Sequence, residues 1–226
     1  DSSSLRYFNN DSLDHPHGIS DQMFEAIPKK KLSFLKTHTH FNPQYIRIAN
    51  KYNARIIVSL RDLRDVMISR YYHILNEKIH WQHKYIKGLS FEEGFIKSLD
   101  FYDNTQTDKP IIINYNWIKN WLNKIESKQY LFLWYEDYIE NPKNYISKIL
   151  KFINFENSSP DLILEQIKNQ NKYNLSLKKN YSKYGKRKST FRSGKNGAWK
   201  ELFTDKISDY FYSNIPGAIE DIIKKN

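Results

Sequence analysis

Residues 54–73 pass in one short stretch from an apolar, β-branched strand through a sharp polar turn into a helix. The strand reads as 55–60. The helix reads as 65–79, with Val66, Ile68, Tyr72 and Leu75 near helical spacing. A second apolar run, 130–134, carries no polar alternation, as expected of a strand covered on both faces of a parallel sheet. A short strand reads at 32–35, and helices at 45–52, 117–125, 143–153, 161–168, 205–212 and 218–224. Ser90 with Glu93 three residues on predicts a capped helix start, and Pro142 suits a helix's first turn. Strands alternating with helices predict an α/β fold with three layers, α/β/α, around a mainly parallel central sheet. At 226 residues the chain fits one domain, 1–226, whose first 30 residues are a poorly defined polar segment with weak helical character at 21–26.

The turn sets Arg61 at the strand's end and Ser69 eight residues later on the helix. A guanidinium delivered to a helix N-terminus makes an anion site, because free N–H groups and the helix dipole already favour negative charge there. The plainer reading is an ion pair between Arg61 and Asp65, four residues apart. Charge sharpens the question. The net +11 is local: residues 166–200 hold eleven Lys and Arg and no Asp or Glu, leaving 25 basic against 25 acidic residues elsewhere. Such a segment points to a polyanionic ligand. The absence of cysteine excludes disulfides, thiolate zinc sites and cysteine nucleophiles, and a reducing, cytoplasmic setting fits it. No apolar run approaches the roughly 18–20 residues that span a bilayer, so no membrane partner is expected.

Four segments in order carry a resemblance. Residues 56–72, with Arg61, Arg64, Asp65, Ser69, Tyr71 and Tyr72, resemble the 3′-phosphate-binding motif of cytosolic-type sulfotransferases. Residues 191–200, from Phe191 and Arg192 through Gly194, Gly197 and Trp199 to Lys200, resemble that family's C-terminal signature, followed by Phe203 and Thr204. Lys36, Thr37 and His38 resemble the segment bearing the family's catalytic histidine. Tyr135, Glu136 and Asp137 after a strand, with Asn141 and Pro142 beyond, resemble a fourth element.

The resemblance implies a P-loop NTPase-like fold and transfer of a sulfuryl group from 3′-phosphoadenosine 5′-phosphosulfate (PAPS) to a small-molecule acceptor, leaving 3′-phosphoadenosine 5′-phosphate (PAP), with no metal. Arg61, Ser69 and Arg192 would hold the 3′-phosphate, a guanidinium offering two parallel donors to its oxygens. Ser193 and the Gly194 backbone would complete that site. Tyr135 would meet adenine, and Tyr173 is a second candidate. His38 would be the general base, and Lys36 would stabilise charge on the transferring group. Residues 40–45, 80–88, 100–110 and 171–188 are expected as walls or lids of the acceptor site. The acceptor and the oligomeric state are not legible.

Three departures qualify this. The family's loop that wraps the 5′-phosphosulfate has no counterpart before Lys36, where Gly18 is the one glycine. The expectation is a chain incomplete at its N-terminus, lacking that first strand and loop; the alternative is a degenerate relative that binds nucleotide without transferring sulfate. Ser193 replaces a usual lysine, which weakens phosphate binding, and Ala198 replaces a common aspartate. A competing reading makes 166–200, with its interleaved Tyr173, Tyr181, Tyr184 and Phe191, a nucleic-acid surface; it leaves the Arg61 turn and His38 unexplained. Another P-loop-type transferase, such as a nucleoside or sugar kinase, is opposed by the missing phosphate loop and by the lack of an Asp cluster for Mg²⁺ in the sequence. The histidine pairs His15/His17, His38/His40 and His80/His83 lack neighbours at zinc-ligand spacing.

Overall fold

Four residues near the N-terminus, too few to display an alternation, form the strand β1 (Arg6–Asn9). It is a strand because it has a partner: it pairs in parallel with β2 (Ser33–Lys36), Tyr7 opposite Phe34 and Phe8 opposite Leu35. The sequence expectation of a polar N-terminal segment is corrected here, since pairing is supplied by residues 27 positions away. Between these strands α1 (Asp21–Glu25) stands where weak helical character is read, and α2 (Gln44–Tyr52) follows β2. Asp21 binds Arg47 at 2.7 Å and Lys51 at 2.9 Å, and Phe24 stacks on Tyr52, so α1 and α2 are fastened by charge and by ring contact. α2 ends on Asn53 at φ 48°, a left-handed position that asparagine tolerates. The computed structural model describes residues 6–9, 21–25, 33–36, 41–100, 108–122, 129–170 and 196–217.

The chain divides into two compact units, Asp1–Ile56 with Ile125–Tyr130, and Ile57–Lys124 with Leu131–Asn226. The elements just described belong to the first. The second is built on a sheet in which β3 (Ile56–Leu60) neighbours β4 (Tyr130–Trp134), the two apolar runs of the sequence. After β3 come α3 (Leu63–Asn76), α4 (His83–Ile86), α5 (Phe91–Asp100) and α6 (Pro110–Leu122). After β4 come α7 (Tyr135–Glu140), α8 (Pro142–Phe152), α9 (160–170), α10 (Trp199–Leu202) and α11 (Asp205–Ser213).

Local rules account for several helix starts. Ser90 and Glu93 exchange hydrogen bonds at the head of α5, the Ser90 hydroxyl donating to the Glu93 carboxylate at 2.8 Å and accepting from the Glu93 N–H at 3.3 Å. Asn141 caps α8 by accepting from the Asn144 N–H at 3.0 Å, with Pro142 in the first turn. Two bounds differ from expectation. α6 begins at Pro110 rather than near 117, because Ile111 and Tyr115 are buried and tertiary packing extends the helix. α3 stops at Asn76 rather than 79, since Glu77 takes an extended conformation. The helix expected at 218–224 lies outside the described residues.

The core of the second unit is formed by Ile68, Ile74, Phe95, Leu99, Ile111, Tyr115, Ile207 and Phe211. Phe203 enters it beside Phe95 and Phe211, at centroid distances of 5.6 and 5.4 Å, while Thr204 caps α11. The pair that follows the C-terminal signature is therefore scaffold, and it anchors that signature to α5 and α11. Arg70 on α3 is half-buried; it donates to the Ser98 carbonyl at 2.9 Å and to the Gln82 side chain. Burial pulls its pKa down to about 10. No helix among the described residues is long and apolar enough to cross a membrane.

Candidate functional site

The turn between β3 and α3 is built by Asp62. It stands at the N-cap with φ −50° and ψ 123°, and its Oδ1 accepts from the Arg64 N–H at 2.9 Å. The same carboxylate holds the Arg64 guanidinium, with Nε 2.9 Å from Oδ1. Arg64 also lies 3.5 Å from the centre of the Trp199 ring and donates to the Tyr212 hydroxyl at 3.2 Å. Its fork is thus committed to the protein, and the side chain is buried.

Arg61 is placed differently. Its side chain keeps 26% exposure, its guanidinium lies 4.8 Å from the centre of the Tyr135 ring, and Nη2 stands 3.8 Å from Asp65 Oδ2. That is the ion pair of the plainer reading, but it is long. Asp65 spends its shorter contacts elsewhere: Oδ2 accepts from the Gly197 N–H at 2.7 Å and Oδ1 from the Trp199 N–H at 3.1 Å. The far end of the C-terminal signature is therefore hydrogen-bonded to the arginine turn across more than 130 residues. Gly197 sits at φ +75°, a conformation that L side chains rarely adopt, so glycine belongs there.

The structure thus brings Arg61 and Tyr135 together, with the end of the 191–200 signature beside them. Ser69 lies on α3, half-buried, eight residues after Arg61. Lys36 closes β2 in the first unit. The Lys36 side chain, His38, Tyr173, Arg192, Ser193 and Gly194 lie outside the described residues. Of the expected acceptor walls, 80–88 contains α4, and Ile79 just before it is 83% exposed. Among the described residues no three His, Asp or Glu side chains are placed to hold a metal ion.

Sequence reasoning missed the role of Glu136. This carboxyl is 3% exposed at the head of α7, and its Oε1 accepts from the Asp62 N–H at 3.1 Å, bracing the arginine turn from the neighbouring strand. Its other oxygen, also buried, meets no hydrogen-bond donor among the described residues. Burial raises its pKa, opposed first by backbone N–H groups, its own and that of Asp62, and last by the charge of Arg61; the Asp62 carboxylate adds slightly to the rise. A legible signal existed, an acid directly after an apolar strand, but burial cannot be read from one residue.

A stability prediction follows. Because folding raises this pKa, the folded state binds the proton more readily than the unfolded chain. The resulting stability is present below the ordinary value near 4.5 and is lost as pH rises through the raised one. Glu136→Gln keeps an acceptor for the Asp62 N–H and removes the buried charge. At pH 7 it is expected to unfold at a higher temperature, by about 1 kcal/mol or a few degrees. The gain should shrink to nothing as the pH of the melting experiment is lowered to about 4.5; a gain independent of pH would contradict the account.

Comparison with known proteins bears directly on this arrangement. A family model described as "Sulfotransferase domain" matches residues 13–217. Among curated proteins, mouse sulfotransferase 1 family member D1 is 30% identical over 185 residues, covering 76% of this chain and 57% of its own length. Cytosolic sulfotransferase 10 of Arabidopsis thaliana is 26% identical over 184 residues, covering 76% and 52%. The chain spans about half the length of the curated relatives it matches. Among solved structures, retinol dehydratase in complex with retinol and PAP is similar at a TM-score of 0.60 and 20% identity, over 90% of this chain and 58% of that one. A mouse sulfotransferase complexed with PAP is similar at 0.58 and 18%, over 85% and 66%. Their fold, α/β and P-loop-like, is the fold of this chain.

Proposed function

The chain belongs to the sulfotransferase family, and on that premise we propose that it moves a sulfuryl group from PAPS to a hydroxyl or amine of a small-molecule acceptor. The observation that chiefly supports this is the Asp65 junction, which sets the end of the C-terminal signature against the turn that presents Arg61. The residues present suit a phosphate-bearing nucleotide. Arg61 is a quarter exposed at a strand end, while the second cation of the turn, Arg64, is used up in holding the turn together.

In this reading Arg61 binds the 3′-phosphate through its fork, with Ser69 adding a hydroxyl and Arg192, Ser193 and the Gly194 backbone closing the site. Tyr135 orients Arg61 and meets adenine. PAPS supplies the sulfuryl group. His38 takes the proton from the acceptor hydroxyl or amine as it attacks, and Lys36 offsets the negative charge that spreads over the transferring group. Positioning and charge stabilisation do most of the work, as in phosphoryl transfer. The reaction proceeds without metal, in the cytoplasm, as the likeness to cytosolic-type enzymes suggests.

The test is a transfer assay on the full-length protein that contains this chain, with ³⁵S-labelled PAPS and a panel of phenols, alcohols and amines, beside thermal unfolding with PAP. Labelled product and a rise in unfolding temperature with PAP but not with oligonucleotides are expected. A rise with oligonucleotides alone would favour a nucleic-acid surface at 166–200. PAP binding without transfer to any acceptor would favour a nucleotide-binding relative that has lost the reaction.

A further inference from the structure

Two halves of the proposed nucleotide site meet on one carboxylate. Asp65 is 1% exposed at its side chain, so water cannot replace its partners. Its Oδ2 serves both the Gly197 N–H, at 2.7 Å, and the Arg61 guanidinium, at 3.8 Å, while Oδ1 serves the Trp199 N–H at 3.1 Å. We infer that Asp65 is a positioning residue that couples occupation of Arg61 by a phosphate to closure of the 197–199 segment on the arginine turn. The inference rests on the nucleotide-binding reading above.

A buried carboxylate must be compensated, by a cation or by hydrogen bonds. With no ligand, Arg61 contributes part of that compensation from a distance, and the two backbone N–H groups contribute the rest. A phosphate on Arg61 draws the guanidinium's charge toward itself. Asp65 then depends more heavily on Gly197 and Trp199, and their hydrogen bonds to it tighten. Linkage makes the effect reciprocal: holding 197–199 closed raises the affinity of Arg61 for phosphate by the same factor. Trp199 adds a second fastening by lying against Arg64, which Asp62 and Tyr212 fix in place. The coupling is selective, because it acts through a ligand group that reaches Arg61 and not through the rest of a nucleotide.

Two variants separate this from a merely structural role. Asp65→Asn offers one acceptor atom where two N–H groups need one each, and sets an amide NH₂ against the other. Gly197→Ala leaves Asp65 intact and adds a Cβ that meets only the Lys200 side chain, at 3.8 Å; its effect is the strain of φ +75° on a residue with a side chain. Calorimetric titration is run on both folded variants with PAP and with adenosine 5′-monophosphate, which lacks the 3′-phosphate. Each variant should lose about tenfold in affinity for PAP and nothing for the monophosphate, and the loss should fall on the KM for PAPS. Hydrogen exchange at the Gly197 and Trp199 amides should slow by about tenfold or more when wild-type protein binds PAP. In Asp65→Asn it should be fast with and without ligand.

Equal losses for both nucleotides, or unchanged exchange at the two amides on binding PAP, would overturn the coupling while leaving the nucleotide reading standing. Wild-type protein that binds neither nucleotide would sink the reading itself and the coupling with it. In that case, exchange in unliganded wild type against Asp65→Asn would still show whether the clasp exists.

Discussion

Replacing Arg61 with alanine is expected to weaken PAP binding by about a hundredfold, roughly 3 kcal/mol, while leaving the affinity for adenosine 5′-monophosphate within about twofold. A forked guanidinium bonded to a phosphate dianion is worth more than a neutral hydrogen bond, and no other described side chain of the turn is placed to replace it. Arg64 is the nearest cation in sequence, but Asp62, Trp199 and Tyr212 hold it. Arg61→Lys should recover only part of the loss, since an ammonium gives a point charge and no fork. The fold should survive both changes. Arg61 is a quarter exposed and its pairing with Asp65 is long, so its thermal unfolding should move by a degree or two at most. Titration calorimetry with the two nucleotides checks the selectivity. Equal losses for both would mean that Arg61 does not read the 3′-phosphate.

Replacing His38 with alanine should have the opposite signature. Turnover should fall by 10²–10⁴-fold, about the contribution of a positioned general base, while PAP affinity stays within about twofold of wild type. The two variants together separate binding from chemistry: one loses KM and the other kcat. His38→Ala turning over at near wild-type rate would remove the histidine from the mechanism and leave the nucleotide site intact. An acceptor with a low pKa, such as a nitrophenol, should lose less than an alcohol, because its proton needs less help to leave.

How much of this was legible beforehand depends on how far apart the causes lie along the chain. The strands β3 and β4, the Ser90–Glu93 cap and the Asn141–Pro142 start are settled within a few residues, and the sequence predicts each of them. Arg61 and Tyr135 were also legible, as motif members at the ends of those strands. What could not be read was which arginine of the turn is committed. Arg61 and Arg64 have the same chemistry three residues apart. Only the arrival of Trp199 and Tyr212 decides that Arg64 is bound up while Arg61 stays partly exposed. The plainer reading of Arg61 paired with Asp65 was half right for the same reason: the pair exists, but backbone N–H groups from Gly197 and Trp199 lie closer.

The amino-acid order alone, then, determined the helix caps, the apolar strands and the identity of the charged groups in the turn, because those follow from steric and hydrogen-bond rules acting over about four residues. Tertiary structure decided that Arg6–Asn9 is a strand, that the Glu136 carboxyl is buried, and that Asp65 joins two motifs more than 130 residues apart. Desolvation and long-range hydrogen bonding depend on what the folded chain brings alongside a group, and no local pattern encodes that neighbour.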